Sequence, residues 1–186
     1  MGVCPATAVT VSCGEQMFDS CVLGVDPGVA KLGLAVIARD GRRATLIWAD
    51  TVTTSAGTSE AQRLNILAEA VRATIAMHRP VSVAVERIAF NRNQVSALTV
   101  ARATGVVMVV SAEAGLDVEE YSPTEVKSAV TGAGNAHKRQ VRDALERVHG
   151  FRDMPNKPDA VDAAAVALTH LMGARLRAAA RIGAAR

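Results

Sequence analysis

The chain has 186 residues, with 21 Lys and Arg against 18 Asp and Glu and a formal charge of +3, enough for one domain with a real hydrophobic core. Apolar residues make up 49%, yet the aromatics are only three Phe, one Tyr and one Trp, so the core must be built from Val, Leu, Ile and Ala. No apolar run reaches the ~18 residues that a membrane span needs, and no basic start leads into an apolar block; the expectation is a soluble cytoplasmic protein with no membrane segment.

Residues 1–20 show little periodicity and read as an extension outside the fold. Cys4, Cys13 and Cys21 are odd in number and spaced unlike a zinc site, so they read as incidental thiols. Val22, Leu23 and Val25 form the body of a first strand, which delivers Asp26 into Pro27-Gly28. Pro presets φ near −65° and Gly accepts positive φ, so this dipeptide fits a tight turn. A second strand covers about Gly33–Ala38, Asp40-Gly41 supplies a hairpin turn, and a third strand covers about Ala44–Val52 with Trp48. Taken alone, Asp26 serves a turn as well as it serves a site.

Ser59 and Gln62 have capping-box spacing ahead of an amphipathic helix with Leu64, Leu67, Val71 and Ile75 as its apolar stripe. Pro80 stops it. VSVAVE, residues 81–86, alternates with period two: Val81, Val83 and Val85 share one face, and Ser82, Ala84 and Glu86 the other. A glutamate closing an apolar strand either emerges into solvent or meets a cation. Asn93 to Gly115 reads as a long helix in which Ala97, Ala101 and Gly105 recur every four residues. Such a small-residue ridge lets a second helix approach closely, from the chain's own core or from a partner subunit.

Asp117–Tyr121 is a short strand, and Ser122-Pro123 opens a short helix from Thr124 to Val130. Gly132 and Gly134 then give a loop, with Asn135 placed to cap the helix that carries Lys138, Arg139 and Arg142. A glycine loop entering a helix with Lys and Arg just inside suits a phosphate. Residues 124–152 carry six basic side chains against three acids, and residues 173–186 four Arg and no acid. That distribution suits a polyanion or a solvated helix face equally. The last helix begins near Pro158, tolerated in a first turn, and places Asp159 and Asp162 on one face. Its core stripe is Val161, Ala164, Ala165, Leu168 and Met172.

The order β-β-β-α-β-α-β-α can bring Asp26, Glu86, Asp159 and Asp162 to one sheet edge. Packed carboxylates repel unless cations lie between them, and hard oxygen ligands suit Mg²⁺ or Mn²⁺. Two such ions about 4 Å apart clamp the attacking water and the leaving oxygen of a phosphodiester displacement.

Four segments, GVDPGVAKLGLAV, VAVERIAFNRN, YSPTEVKSAVTGAGNAHKRQV and PDAVDAAAVALTH, resemble in order and spacing the RuvC family of Holliday-junction resolvases, from about Val22 to Leu171. The resemblance implies an α/β RNase H-like fold, a mixed five-stranded sheet flanked by helices, over residues 21–173, with a basic tail at 174–186. It implies that Asp26, Glu86, Asp159 and Asp162 are catalytic and hold metal, two Mg²⁺ ions for which Mn²⁺ substitutes. Lys127 and Lys138 match basic residues near the scissile strand, with Arg139 and Arg92 as further DNA contacts. Where many members carry an aromatic wedge this chain has Ala89, with Phe90 next; Phe90 as the wedge, Phe90 as core, and a different mode of junction opening all stay open. The family acts as a homodimer with RuvA and RuvB as partners, and helix 93–115 is the expected seam. Competing readings are an ATP-binding phosphotransferase, which would need a second lobe, a non-enzymatic junction binder, and a nuclease for another structured nucleic acid.

Overall fold

The computed structural model describes residues 20–41, 43–87 and 94–184. Strands β1 (Ser20–Asp26), β2 (Lys31–Asp40) and β3 (Arg43–Thr53) form an antiparallel meander. Helix α1 (Glu60–His78) leads to β4 (Ser82–Glu86), and α2 (Gln94–Glu113) leads to β5 (Asp117–Tyr121). Three helices follow: α3 (Pro123–Thr131), α4 (Lys138–Arg147) and α5 (Pro158–Ala184). The sheet order is β3-β2-β1-β4-β5, with β4 parallel to both β1 and β5. This is the mixed five-stranded sheet expected from the sequence, and α2 is the crossover that a parallel β4–β5 join requires.

Each sheet face has its own core, because side chains alternate along a strand. Leu23, Val25, Leu34, Val36, Val83 and Val85 pack with Leu67 and Val71 of α1 and Ala103 and Val107 of α2. Val22, Ala35, Ile37 and Ala84 face the other way, onto α3, α4 and α5. Asp26 and Glu86 have the parity of Val22 and Ala84, so both belong to the α5 face.

Local signals held well at the helix starts. Ser59 caps α1 and accepts from the Gln62 amide, and Ser122 opens α3 with a capping box closed by Glu125. Helix α4 differs: its cap is His137 rather than Asn135, and the His137 amide donates to Gln140 Oε1 at 2.8 Å. Val81 lies outside β4 and is exposed, so only Val83 and Val85 carry that face. Met172 is exposed too, whereas Val161, Ala164, Ala165 and Leu168 are buried as expected. Helix α5 continues past residue 173, where the sequence sets off a basic tail, and ends at Ala184. Cys21, read as an incidental thiol, is disulfide-bonded.

Candidate active site

Two glycines bring the last helix onto the strand ends. A Cβ at Gly33 would lie 2.0 Å from the Asp159 carbonyl oxygen, and one at Gly24 2.1 Å from that of Ala163. Backbone therefore rests on backbone, and α5 crosses β1 and β2 closer than any side chain would permit. Gly33 is also the register partner of Asp26. Beside it the parallel pairing of Val25 with Val85 lets Asp26 and Glu86 emerge as neighbours. Asp26 and Glu86, from two strand ends, thus share a hydrogen bond, and both feel the charge of Asp162 at the start of α5, with Asp159 acting more weakly on Asp26.

Their electrostatics show the cost. Burial first, then the charges of Glu86 and Asp162, a hydrogen bond with Glu86 and the charge of Asp159, push the Asp26 carboxyl up to about 8. Glu86 is likewise raised, by burial and by Asp162, with Lys138 and Lys127 pulling against the rise. Lys138 Nζ donates to Asp162 Oδ2 at 2.5 Å. That hydrogen bond outweighs partial desolvation and holds the ammonium above its ordinary value, so Lys138 stays charged through neutral pH. Glu86, Lys127, Lys138 and Asp162 line a cavity of about 150 Å³ whose apolar wall includes Val126, Val141 and Ala165.

A second cavity, about 260 Å³, flanks the first, and Lys138 and Asp162 belong to both. Exposed Arg139 lines it, with Arg142 and Asn156. Arg142 is anchored, donating to Glu146 Oε1 and to the carbonyls of Met154 and Pro155. Asn156 carries no signal of its own in the sequence; Arg142 was legible as the next basic turn after Lys138. Lys157 pairs with Asp50 on β3 and so ties the start of α5 to the sheet edge. Ala89, Phe90 and Arg92 lie outside the described residues.

Among the described residues, no three His, Cys, Asp or Glu groups stand ready to hold a metal ion, for Asp162 is turned to Lys138 and Asp26 to Glu86. The donor set nonetheless fits a hard divalent cation. It is all carboxylate oxygen, its members repel one another, and what offsets the repulsion among the described residues is a shared hydrogen bond and two lysines. Asp26, Glu86, Asp159 and Asp162 would be the ligands.

A sheet in this order, with acids at adjacent parallel strand ends and a closing helix that adds two more, defines an RNase H-like nuclease. The family description "Crossover junction endodeoxyribonuclease RuvC" matches residues 22–170. A crossover junction endodeoxyribonuclease of that name from Rubrobacter xylanophilus is 38% identical over 162 residues, 87% of this chain and 90% of that protein. Its counterpart from Heliobacterium modesticaldum is 43% identical over 147 residues, 79% of this chain and 91% of that protein. The structure of Thermus thermophilus RuvC in complex with a Holliday junction substrate superposes with a TM-score of 0.79 at 36% identity, covering 84% of this chain and 96% of that one. This chain belongs to the RuvC family, enzymes that are metal-dependent nucleases hydrolysing phosphodiester bonds in Holliday junctions. No helix among the described residues is long and apolar enough to cross a membrane.

Proposed function

We propose that this chain resolves four-way DNA junctions in recombination and repair with two Mg²⁺ ions per site, held by Asp26, Glu86, Asp159 and Asp162, Mn²⁺ substituting. Bound there, the ions would supply an activated water and a stabilised leaving oxygen for adding water across a phosphodiester P–O bond. The observation that carries the reading is that half-buried Asp26 shares a hydrogen bond with Glu86 and feels the charge of Asp162, which with burial push its carboxyl up to about 8. Lys138 and Lys127 offer the scissile phosphate positive charge above the acids. Arg139 extends that charge along the flanking groove, where backbone phosphates would position the duplex without reading its sequence. Arg92 and Phe90 remain candidate DNA contacts on the strength of the family resemblance alone.

The enzyme works as a homodimer through α2, each subunit nicking one of two symmetric strands. In support, Ala101 and Gly105 of the small-residue ridge are exposed, and Leu98 and Val109 beside them are 54% and 58% exposed, on the face opposite buried Ala103 and Val107. RuvA and RuvB, and a cytoplasmic location, complete the reading by family. The test is cleavage of a synthetic mobile junction with Mg²⁺ or Mn²⁺, wild type against Asp26→Asn, Glu86→Gln and Asp162→Asn. Wild type should nick symmetrically, and each variant should bind the junction but not cut it. Normal cleavage by a variant removes that residue from the site, and a wild type inactive on junctions with either metal removes the function.

A further inference from the structure

Behind the cavity, two turns along α5 from Asp162, His170 makes two side-chain contacts with the sheet. Tyr121 Oη stands 3.0 Å from His170 Nδ1, and Ser82 Oγ stands 3.1 Å from His170 Nε2. The tyrosine meets the imidazole edge-on, with centroids 5.9 Å apart and planes at 85°. All three side chains are half-buried. In either tautomer one ring nitrogen donates and the other accepts, and each hydroxyl can do both, so both bonds are satisfied together.

The placement of Tyr121 gives these contacts their meaning. It is the register partner of Glu86, and its carbonyl accepts from the Arg87 amide at 2.7 Å, one residue past that acid. On its other side Ser122 begins the capping box of α3, the helix that carries Lys127 into the cavity. One residue therefore touches the strand end of Glu86, the start of the lysine helix and, through its hydroxyl, the helix of Asp159 and Asp162.

We infer that His170 is a positioning residue, which with Tyr121 and Ser82 sets the spacing between α5 and the β4–β5–α3 unit and so places Lys127 and Glu86 against Asp162. Its effect passes through Tyr121. The inference rests on the nuclease reading for its catalytic consequence, but the mechanical link stands on the contacts alone.

The experiment uses full-length Tyr121→Phe, His170→Ala and His170→Asn, the last keeping a polar atom near Nδ1. Single-turnover cleavage of a four-way junction should fall roughly tenfold to a hundredfold in Tyr121→Phe and His170→Ala, as small misplacements do, with junction affinity unchanged and partial rescue in His170→Asn. In a Lys127→Ala background Tyr121→Phe should cost clearly less than it does in wild type, because part of its effect passes through that lysine and the rest through Glu86. Hydrogen exchange reads the link independently of cleavage: Arg87 and the α3 amides should lose protection in Tyr121→Phe while α1 does not. Additive losses with Lys127→Ala, unchanged cleavage with a lowered Tm, or unchanged α3 protection would each overturn the inference. Should wild type fail to nick, the nuclease reading falls, and the exchange pattern still decides the link.

Discussion

Asp26 gathers the electrostatic cost of the proposed site in one side chain. Burial and neighbouring acids push its carboxyl up to about 8 from an ordinary 3.8, so between those values the folded state holds a proton that the unfolded chain gives up. An acid whose folded pKa is raised favours folding at low pH: the site's penalty is absent below the unfolded value, grows as pH rises between the two, and is complete above about 8. Metal-free wild type should therefore lose Tm between pH 5 and 8 by more than Asp26→Asn does, and the variant should melt higher at pH 8. The gain expected for a domain this size is roughly 2–4 °C per kcal/mol of relieved repulsion. Equal slopes in thermal melts of the two proteins would mean that the carboxyl is not held in this environment. Lys138 limits the penalty by keeping an ammonium on Asp162, and a divalent cation has to compete with it.

Helix α5 is the element on which the site's geometry depends, and its closeness to β1 and β2 comes from Gly24 and Gly33. Gly33→Ala would press a methyl against the Asp159 carbonyl oxygen, so the helix start must lift or the strand must bend. Overpacking of that kind costs roughly 1–3 kcal/mol, and here it also moves Asp159 and Asp162 away from Asp26. Denaturant melts should show the destabilisation and junction assays a larger loss of cleavage than of binding. A variant with wild-type cleavage would show that the close approach is not what sets the acids. The start of α5 is also pinned from the side by the Lys157–Asp50 pair, and Arg63 ties α1 through Thr54 Oγ1 to the Val29 carbonyl, just after Asp26.

At the scale of the whole molecule, α2 presents an apolar face that nothing in the described chain covers. Gly105 sits on it, and beyond its own helix's backbone and its chain neighbours no described atom lies within 4 Å of the point where a Cβ would stand, so a side chain there meets no other part of the described subunit. Gly105→Glu should fold normally, yet weaken a dimer through this face by roughly a hundredfold or more, since burying an unpaired charge costs several kcal/mol. Size-exclusion chromatography with light scattering reads this directly, and an intact dimer would put the seam elsewhere. Much of this architecture was legible in the sequence, because strand alternation and helix capping are local: Ser59, Ser122 and the parity of Glu86 declared themselves. The candidate acids were legible only as a set, since Asp26 alone serves a turn and Glu86 alone can end a strand in solvent. What escaped depends on contacts between distant segments. Nothing near Gly24 or Gly33 signals that a helix will lie on them, and His170 reads as a helix residue until Tyr121 and Ser82 are brought to it.

The proposed cation site draws its carboxylates from β1, β4 and α5. Calorimetric titration of Mn²⁺ into the metal-free protein at pH 8 tests it without any DNA. Saturable binding in wild type, with affinity lost in Asp26→Asn and in Asp162→Asn, is the predicted result; equal Mn²⁺ affinity in all three proteins would contradict it.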